Sequence, residues 1–160
     1  MLKQMVITGS LAEKSFAALN AAQTGPYKHN RTWFLLADAR HAMLLTREDG
    51  GLKRLGDMRA HMEYENAIGD HNFGQIPQSE KSLEHEDLVF ARTLAEWLNK
   101  ACDEHAFDSL VIAASPKTLG RLRGLLSAQV QDKVIAELNK DLINLPTPQI
   151  ERALSHIAYF

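Results

Sequence analysis

The sequence holds a single cysteine, Cys102, among 160 residues. One thiol excludes an intramolecular disulfide and any zinc site built on several cysteines, and it fits a reducing compartment. Long apolar runs are also missing: no stretch approaches the roughly 18 residues that a membrane-spanning helix needs. Lys3 stands near the start, but Glu13 and Lys14 interrupt the apolar stretch before the h-region of a secretory leader can form. Neither sign of charge dominates, with 18 basic and 20 acidic residues and a net charge of −2. Global attraction to nucleic acid or to an anionic membrane is therefore excluded, and any such binding must come from a local patch. Internal repeats and low-complexity tracts are absent. The expectation is a cytoplasmic protein without a membrane partner.

What is present suits one domain. The hydrophobic fraction is 45% and the charged fraction 24%, both ordinary for a globular chain. At this length folding removes roughly 70% of the unfolded chain's accessible surface, enough for a self-sufficient core. Residues 1–31 read as an N-terminal extension, either an accessory helix or a flexible tail. Leu11, Ser15, Ala18, Leu19 and Ala22 share a helical spacing after Ser10, and Gly25-Pro26 ends the segment. The domain proper is expected over residues 32–160.

Three strands open it. Thr32–Ala37 is continuously apolar, Arg40–Thr46 follows a turn at Asp38-Ala39, and Leu52–Met58 returns after Glu48-Asp49-Gly50-Gly51. Asp-Gly and Gly-Gly supply the positive φ that tight hairpins require. Residues 59–81 read as a long polar loop. Ser82 can cap a helix over Leu83–His105, where Glu84, Glu86 and Asp87 sit at the positive end of its dipole. Phe90, Leu94, Trp97, Leu98, Ala101 and Cys102 form its apolar face. Asp108–Ala114 reads as a buried strand, and Ser115-Pro116 begins a helix to about Gln129. Lys133–Leu138 fits strand or helix; strand completes a β-α-β-α-β series. A last helix is expected over Gln149–Ala158, with Leu142 and Leu145 as core anchors before it. The fold class is α/β: a ribonuclease-H-like three-layer domain with a mixed five-stranded sheet.

Specific residues add to this order. Trp33-Phe34-Leu35-Leu36-Ala37-Asp38-Ala39-Arg40-His41-Ala42 resembles the opening block of the host attachment protein family. Phe90-Ala91, Leu94-Ala95 and Leu98 are similar to its long helix. Leu110–Pro116 with Leu119-Gly120-Arg121-Leu122-Arg123 resembles its next block, and Glu137–Pro146 its most distinctive stretch. The same arrangement resembles the middle domain of archaeal and eukaryotic peptide-chain release factors. That domain carries a Gly-Gly-Gln motif in the loop before its long helix. Here the corresponding loop has Phe73-Gly74-Gln75, with Phe73 where the first glycine stands and no run of basic residues around it. The resemblance implies a binding module for ribosome, tRNA or another RNA. It leaves two alternatives: a hydrolase acting on an ester or phosphodiester, and a protein-interaction factor in bacterial surface attachment.

Candidate residues follow from both lines. Gln75 beside a flexible glycine could hold a water for hydrolysis, or it could belong to an ordinary polar loop. Asp38 stands after the first strand, where metal-dependent nucleases of this fold class hold a carboxylate, with Asp141 as a second acid. Turn chemistry explains Asp38 more cheaply, since aspartate bonds its own following backbone. His61, His71 and His85 cluster with acids, but their spacing matches no zinc pattern. No metal or cofactor is expected. Between Ser109 and Gln131 no acidic residue occurs, so Lys117, Arg121 and Arg123 make a locally basic helix. Its start presents free N–H groups, and Lys117 and Arg121 share a face. RNA or another anion is the functional reading, and a solvated face paired with acids is the other. Lys140 could contact phosphate beside Asp141, or the pair could fix a turn.

Overall fold

The strand TWFLLA is buried at all six positions. Side chains alternate across a strand, so one that is apolar throughout has to be covered on both faces. Trp33, Leu35 and Ala37 face one apolar cluster, and Phe34 and Leu36 face the other. The computed structural model describes residues 3–22, 31–48, 51–64 and 80–155. Its elements are β1 (Lys3–Thr8), α1 (Ser10–Glu13), α2 (Phe16–Ala22), β2 (Thr32–Ala37), β3 (His41–Glu48), β4 (Gly51–Tyr64), α3 (Glu80–Asp103), β5 (Ser109–Ala114), α4 (Pro116–Leu125), α5 (Ala128–Lys133), β6 (Val134–Leu138) and α6 (Thr147–Leu154).

The sheet runs β1-β4-β3-β2-β5-β6. Strands β2, β5 and β6 are mutually parallel, while β3, β4 and β1 pair antiparallel. One face carries α1, α2, α3, α4 and α5. The other is covered over its centre by α6 and by Leu142-Ile143, which pack on Phe34, Leu36, Leu45, Val111 and Ala113. This is the three-layer α/β architecture implied by the sequence.

Several details differ. The pattern implies five strands and the sheet has six, because β4 runs on to Tyr64 and β1 covers its edge, Thr8 opposite Arg59 and Lys3 opposite Tyr64. Residues 59–64 therefore belong to a strand; Arg59, Ala60, His61 and Met62 alternate polar and apolar, a period of two. The rest of the presumed loop, 65–79, lies outside the described residues. The N-terminal segment holds more than a helix, since β1 joins the sheet and both Leu11 and Leu19 are fully buried. Its helix is split: Ser15 Oγ accepts from the Ala18 N–H at 3.1 Å and begins α2 anew. Gly9 permits the corner between β1 and α1, with φ of 126° and a Cβ position only 2.3 Å from the Asp57 carbonyl oxygen. A side chain cannot fit there.

Ser82 lies inside α3, which begins at Glu80. The helix after Ser115 breaks at Leu126-Ser127 because Asn99 of α3 takes over its ends. Asn99 Oδ1 accepts from the Ser127 N–H at 2.8 Å and Nδ2 donates to the Leu125 carbonyl at 3.4 Å. Lys133–Leu138 resolves as strand β6. Leu145 is 37% exposed, and the buried neighbour of Leu142 is instead Ile143. Among the described residues no helix is long and apolar enough to cross a membrane.

Leu94 is fully buried at the middle of α3. Leu94→Ala is expected to cost about 2–5 kcal/mol, read as a lowered denaturant midpoint at unchanged slope. A midpoint equal to wild type would remove this face of α3 from the core. Removing residues 1–30 uncovers the β4 edge and deletes Leu11 and Leu19. The shortened chain should melt at a lower temperature, and an unchanged melt would show that β1 contributes nothing to stability.

Candidate functional site

Because β2, β5 and β6 are parallel, their carboxyl ends lie at one end of the sheet. The chain leaves β2 toward β3 on one side and leaves β5 toward β6 on the other. Between β2 and β5 the winding reverses, and open sheets bind ligands outside such a switch point. Asp38 stands there. Its Oδ1 accepts the N–H groups of Arg40 at 2.8 Å and His41 at 2.6 Å, and its own N–H donates to the His41 carbonyl at 2.8 Å. The carboxylate thus closes the turn between β2 and β3, as aspartate does in turns.

Two charged clusters grow from that turn. Arg40 points to the start of α3, donating through Nη2 to Glu86 Oε2 at 2.9 Å and lying 3.4 Å from Asp87 Oδ1. Arg121, one turn into α4, approaches Asp87 Oδ2 at 3.8 Å. Asp87 is shared between a loop cation and a helix cation, while Glu86 is only 7% exposed. Lys117 pairs with Glu84 at 3.3 Å, both in the open. The acids read from the sequence as dipole partners therefore also hold Arg40, Lys117 and Arg121.

His41 points the other way, and its Nε2 lies 3.4 Å from Asp57 Oδ2. Arg54 and Arg59 reach the same oxygen at 3.2 and 3.3 Å. Ser10 secures the carboxylate: its hydroxyl donates to Oδ1 at 3.3 Å and accepts the Asp57 N–H at 3.0 Å. Burial raises the Asp57 carboxyl, but the hydrogen bond from Arg59, the Arg54 charge and the Ser10 contacts outweigh it and hold the group below the usual carboxylate range. Burial, then the Arg59 charge, holds His41 below the ordinary imidazole value, against the opposing pull of Asp38 and Asp57.

The other candidates fall differently. Gln75 lies outside the described residues, as does His71. Lys140 and Asp141 follow β6 in exposed positions. Asp38 and Asp141 come from the ends of β2 and β6, with β5 between them, and no hydrogen bond joins them. Arg123 leaves the basic group: it donates to Glu137 of β6, beyond the face shared by Lys117 and Arg121. Among the described residues no three His, Cys, Asp or Glu side chains gather as a metal would require. Arg54, Asp57 and Arg59 carried no sequence motif. Their signal was a strand with charges on alternate positions, interrupted by a bulge opposite Leu44/Leu45.

A family model described as "Protein required for attachment to host cells" matches residues 33–154. A search of curated proteins finds no match. Among solved structures, the archaeal translation termination factor aRF1 is similar with a TM-score of 0.46 and 11% identity, over 79% of this chain and 38% of that one. Dom34 of S. cerevisiae, a translation termination-like factor involved in RNA quality control pathways and interacting with Hbs1, gives 0.41 and 10%, over 88% and 39%. The Aquifex aeolicus Ppx/GppA phosphatase gives 0.33 and 15%, over 68% and 35%. This chain thus spans well under half the length of each.

His41 generates a pH prediction. Its folded pKa lies below 6.5, so on acidification the unfolded chain takes up the proton first. Stability contributed by neutral His41 is then lost as pH falls below about 6.5, until the folded pKa is passed. His41→Gln should flatten this limb when melting temperature is followed from about pH 7 to pH 5. Equal slopes in both proteins would show that His41 titrates alike folded and unfolded.

Proposed function

We propose that this chain, which belongs to the family described as protein required for attachment to host cells, is an RNA-binding module of the cytoplasm, docking on the ribosome, tRNA or another RNA. The observation that carries this reading is the convergence of Arg40, Lys117 and Arg121 at the β2/β5 switch point, from two separate connections. Lys117 and Glu84 are 65% and 60% exposed, and an ion pair so solvated holds its partners weakly. A phosphate can take the place of Glu84 at little cost. Arg40, with 38% of its side chain exposed, offers further donors beside it.

A hydrolytic reading through Asp38 has less support, because its Oδ1 already receives two backbone N–H groups. Those bonds fit a structural carboxylate better than one free to orient a water or a metal.

The test is a pull-down of the full chain from native lysate at low and moderate salt, with and without ribonuclease. RNA is expected at low salt and should be lost at moderate salt. Proteins retained after ribonuclease without any RNA would favour a protein-interaction role and overturn the reading. Lys117→Gln should weaken RNA binding and reduce the salt slope by about 1, without moving the melting temperature. An unchanged slope would take Lys117 out of the interface.

A further inference from the structure

The outer face of the sheet is covered unevenly. Over β2 and β5, and over Leu45 of β3, α6 and Leu142-Ile143 form a packed layer. Of strand β4 only the start meets that cover, through Leu52; farther along, the side chains of Arg54 and Arg59 are 51% and 61% exposed. Both belong to this outer face, because Arg54 sits opposite Leu45, and Arg59 opposite His41 and Thr8. Residues directly opposite each other in a sheet share a face.

Their arrangement leaves binding capacity unused. Two guanidinium groups converge on one oxygen of one carboxylate, so two positive charges meet a single negative one. Each guanidinium carries five N–H donors in a fixed fork, and Asp57 Oδ2 engages only the nearest of them. The carboxylate is itself held in place by Ser10 at the β1–α1 corner, where Gly9 allows close approach to β4. Arginines tethered this way lose less freedom on meeting a ligand than free ones would.

The geometry points to this face of β4 as a phosphate-backbone contact surface, with Arg54 and Arg59 engaging phosphates of an RNA strand on the face opposite α3. The inference rests on the RNA-binding reading above and extends it to a second surface. RNA fits better than an acidic protein because protein interfaces are built around a buried apolar centre. Among the described residues the exposed large hydrophobics are Leu88, Ile135 and Leu145, and none belongs to β4. Phosphate contacts from arginine need no such centre.

Binding of the full chain to a labelled single-stranded RNA oligonucleotide and to labelled tRNA, measured over a salt series, tests this, with labelled polyglutamate as the competing chemistry. The variant Arg54→Gln/Arg59→Gln should bind RNA several-fold more weakly. Its salt slope on the single strand should flatten by roughly 1.4, two contacts at about 0.7 each. Arg54→Lys/Arg59→Lys keeps the charge and should retain most of the slope, which guards against a glutamine variant that fails to fold. RNA binding by wild type that neither double variant alters would overturn this surface and leave the RNA-binding reading standing. A wild-type chain that binds neither RNA at low salt would overturn both. Polyglutamate binding equal to RNA binding, and lost in the glutamine variant, would reassign the face to an acidic protein.

Discussion

Trp33, Leu35 and Ala37 leave one side of β2, Phe34 and Leu36 leave the other, and none of the five is more than 1% exposed. At roughly 1.5–3 kcal/mol for each large side chain removed from water, the strand is stable only while both layers are in place. On one side Trp33 stacks on Trp97 of α3 at 5.6 Å and on Phe107 at 4.8 Å, and Phe16 of α2 closes on Trp97 at 5.5 Å. On the other side α6 covers Phe34. Glu151 of α6 also accepts the Leu52 N–H at 3.1 Å, tying that layer to the start of β4. The central position of β2 sets the position of the site: its end is where the antiparallel and parallel halves of the sheet part, and the Asp38 turn stands in that gap.

Arg40 closes the turn and His41 begins β3, and their side chains leave in opposite directions. Arg40 binds the acids of α3, and His41 joins the Asp57 group on the outer face. One turn, pinned by three hydrogen bonds through Asp38, therefore fixes both charged clusters relative to each other. Glu86 is nearly buried and receives Arg40, so that ion pair is shielded from water and costly to break. The Lys117–Glu84 pair is solvated on both sides and has no such constraint, so within the proposed RNA reading Lys117 is the cation that can change partners cheaply.

Much of this was legible in the chain. The continuous apolar run Thr32–Ala37, rich in aromatic and aliphatic side chains, was readable as a strand, and the helical spacing of Phe90, Leu94 and Leu98 marked the apolar face of the helix that covers it. Asp38 was readable as a turn residue. The basic stretch from Lys117 to Arg123 was readable too, but its division was not, because Arg123 points to Glu137 of β6, an acid 14 residues away. Strand β1 was hidden for a related reason: Lys3–Thr8 is short, and its partner is the far half of β4, more than 50 residues on. Such pairings leave no local periodicity. The Arg54–Asp57–Arg59 group was obscured by the bulge at Leu44/Leu45, which shifts the alternation so that Arg54 and Asp57, three apart, reach the same face.

The chemistry of this end of the sheet follows from counting donors against acceptors. Asp38 Oδ1 receives two backbone N–H groups, Asp57 faces Ser10, His41, Arg54 and Arg59, Glu86 receives Arg40, and Asp87 lies between Arg40 and Arg121. Each of these carboxylates already has a cation or a backbone donor against it. Guanidinium and ammonium groups bring five and three donors each, more than these few oxygens can accept. Apart from Asp87 Oδ1, which lies near Arg40 without a hydrogen bond, the unused capacity of these groups is mostly N–H. Asp57 illustrates this: the Arg59 hydrogen bond, the Arg54 charge and the Ser10 contacts outweigh its burial and hold it below the usual carboxylate range. A surface with surplus donors on a rigid sheet suits ligands rich in acceptors, and phosphate oxygens, spaced along a backbone and weakly demanding in shape, satisfy it without any apolar pocket.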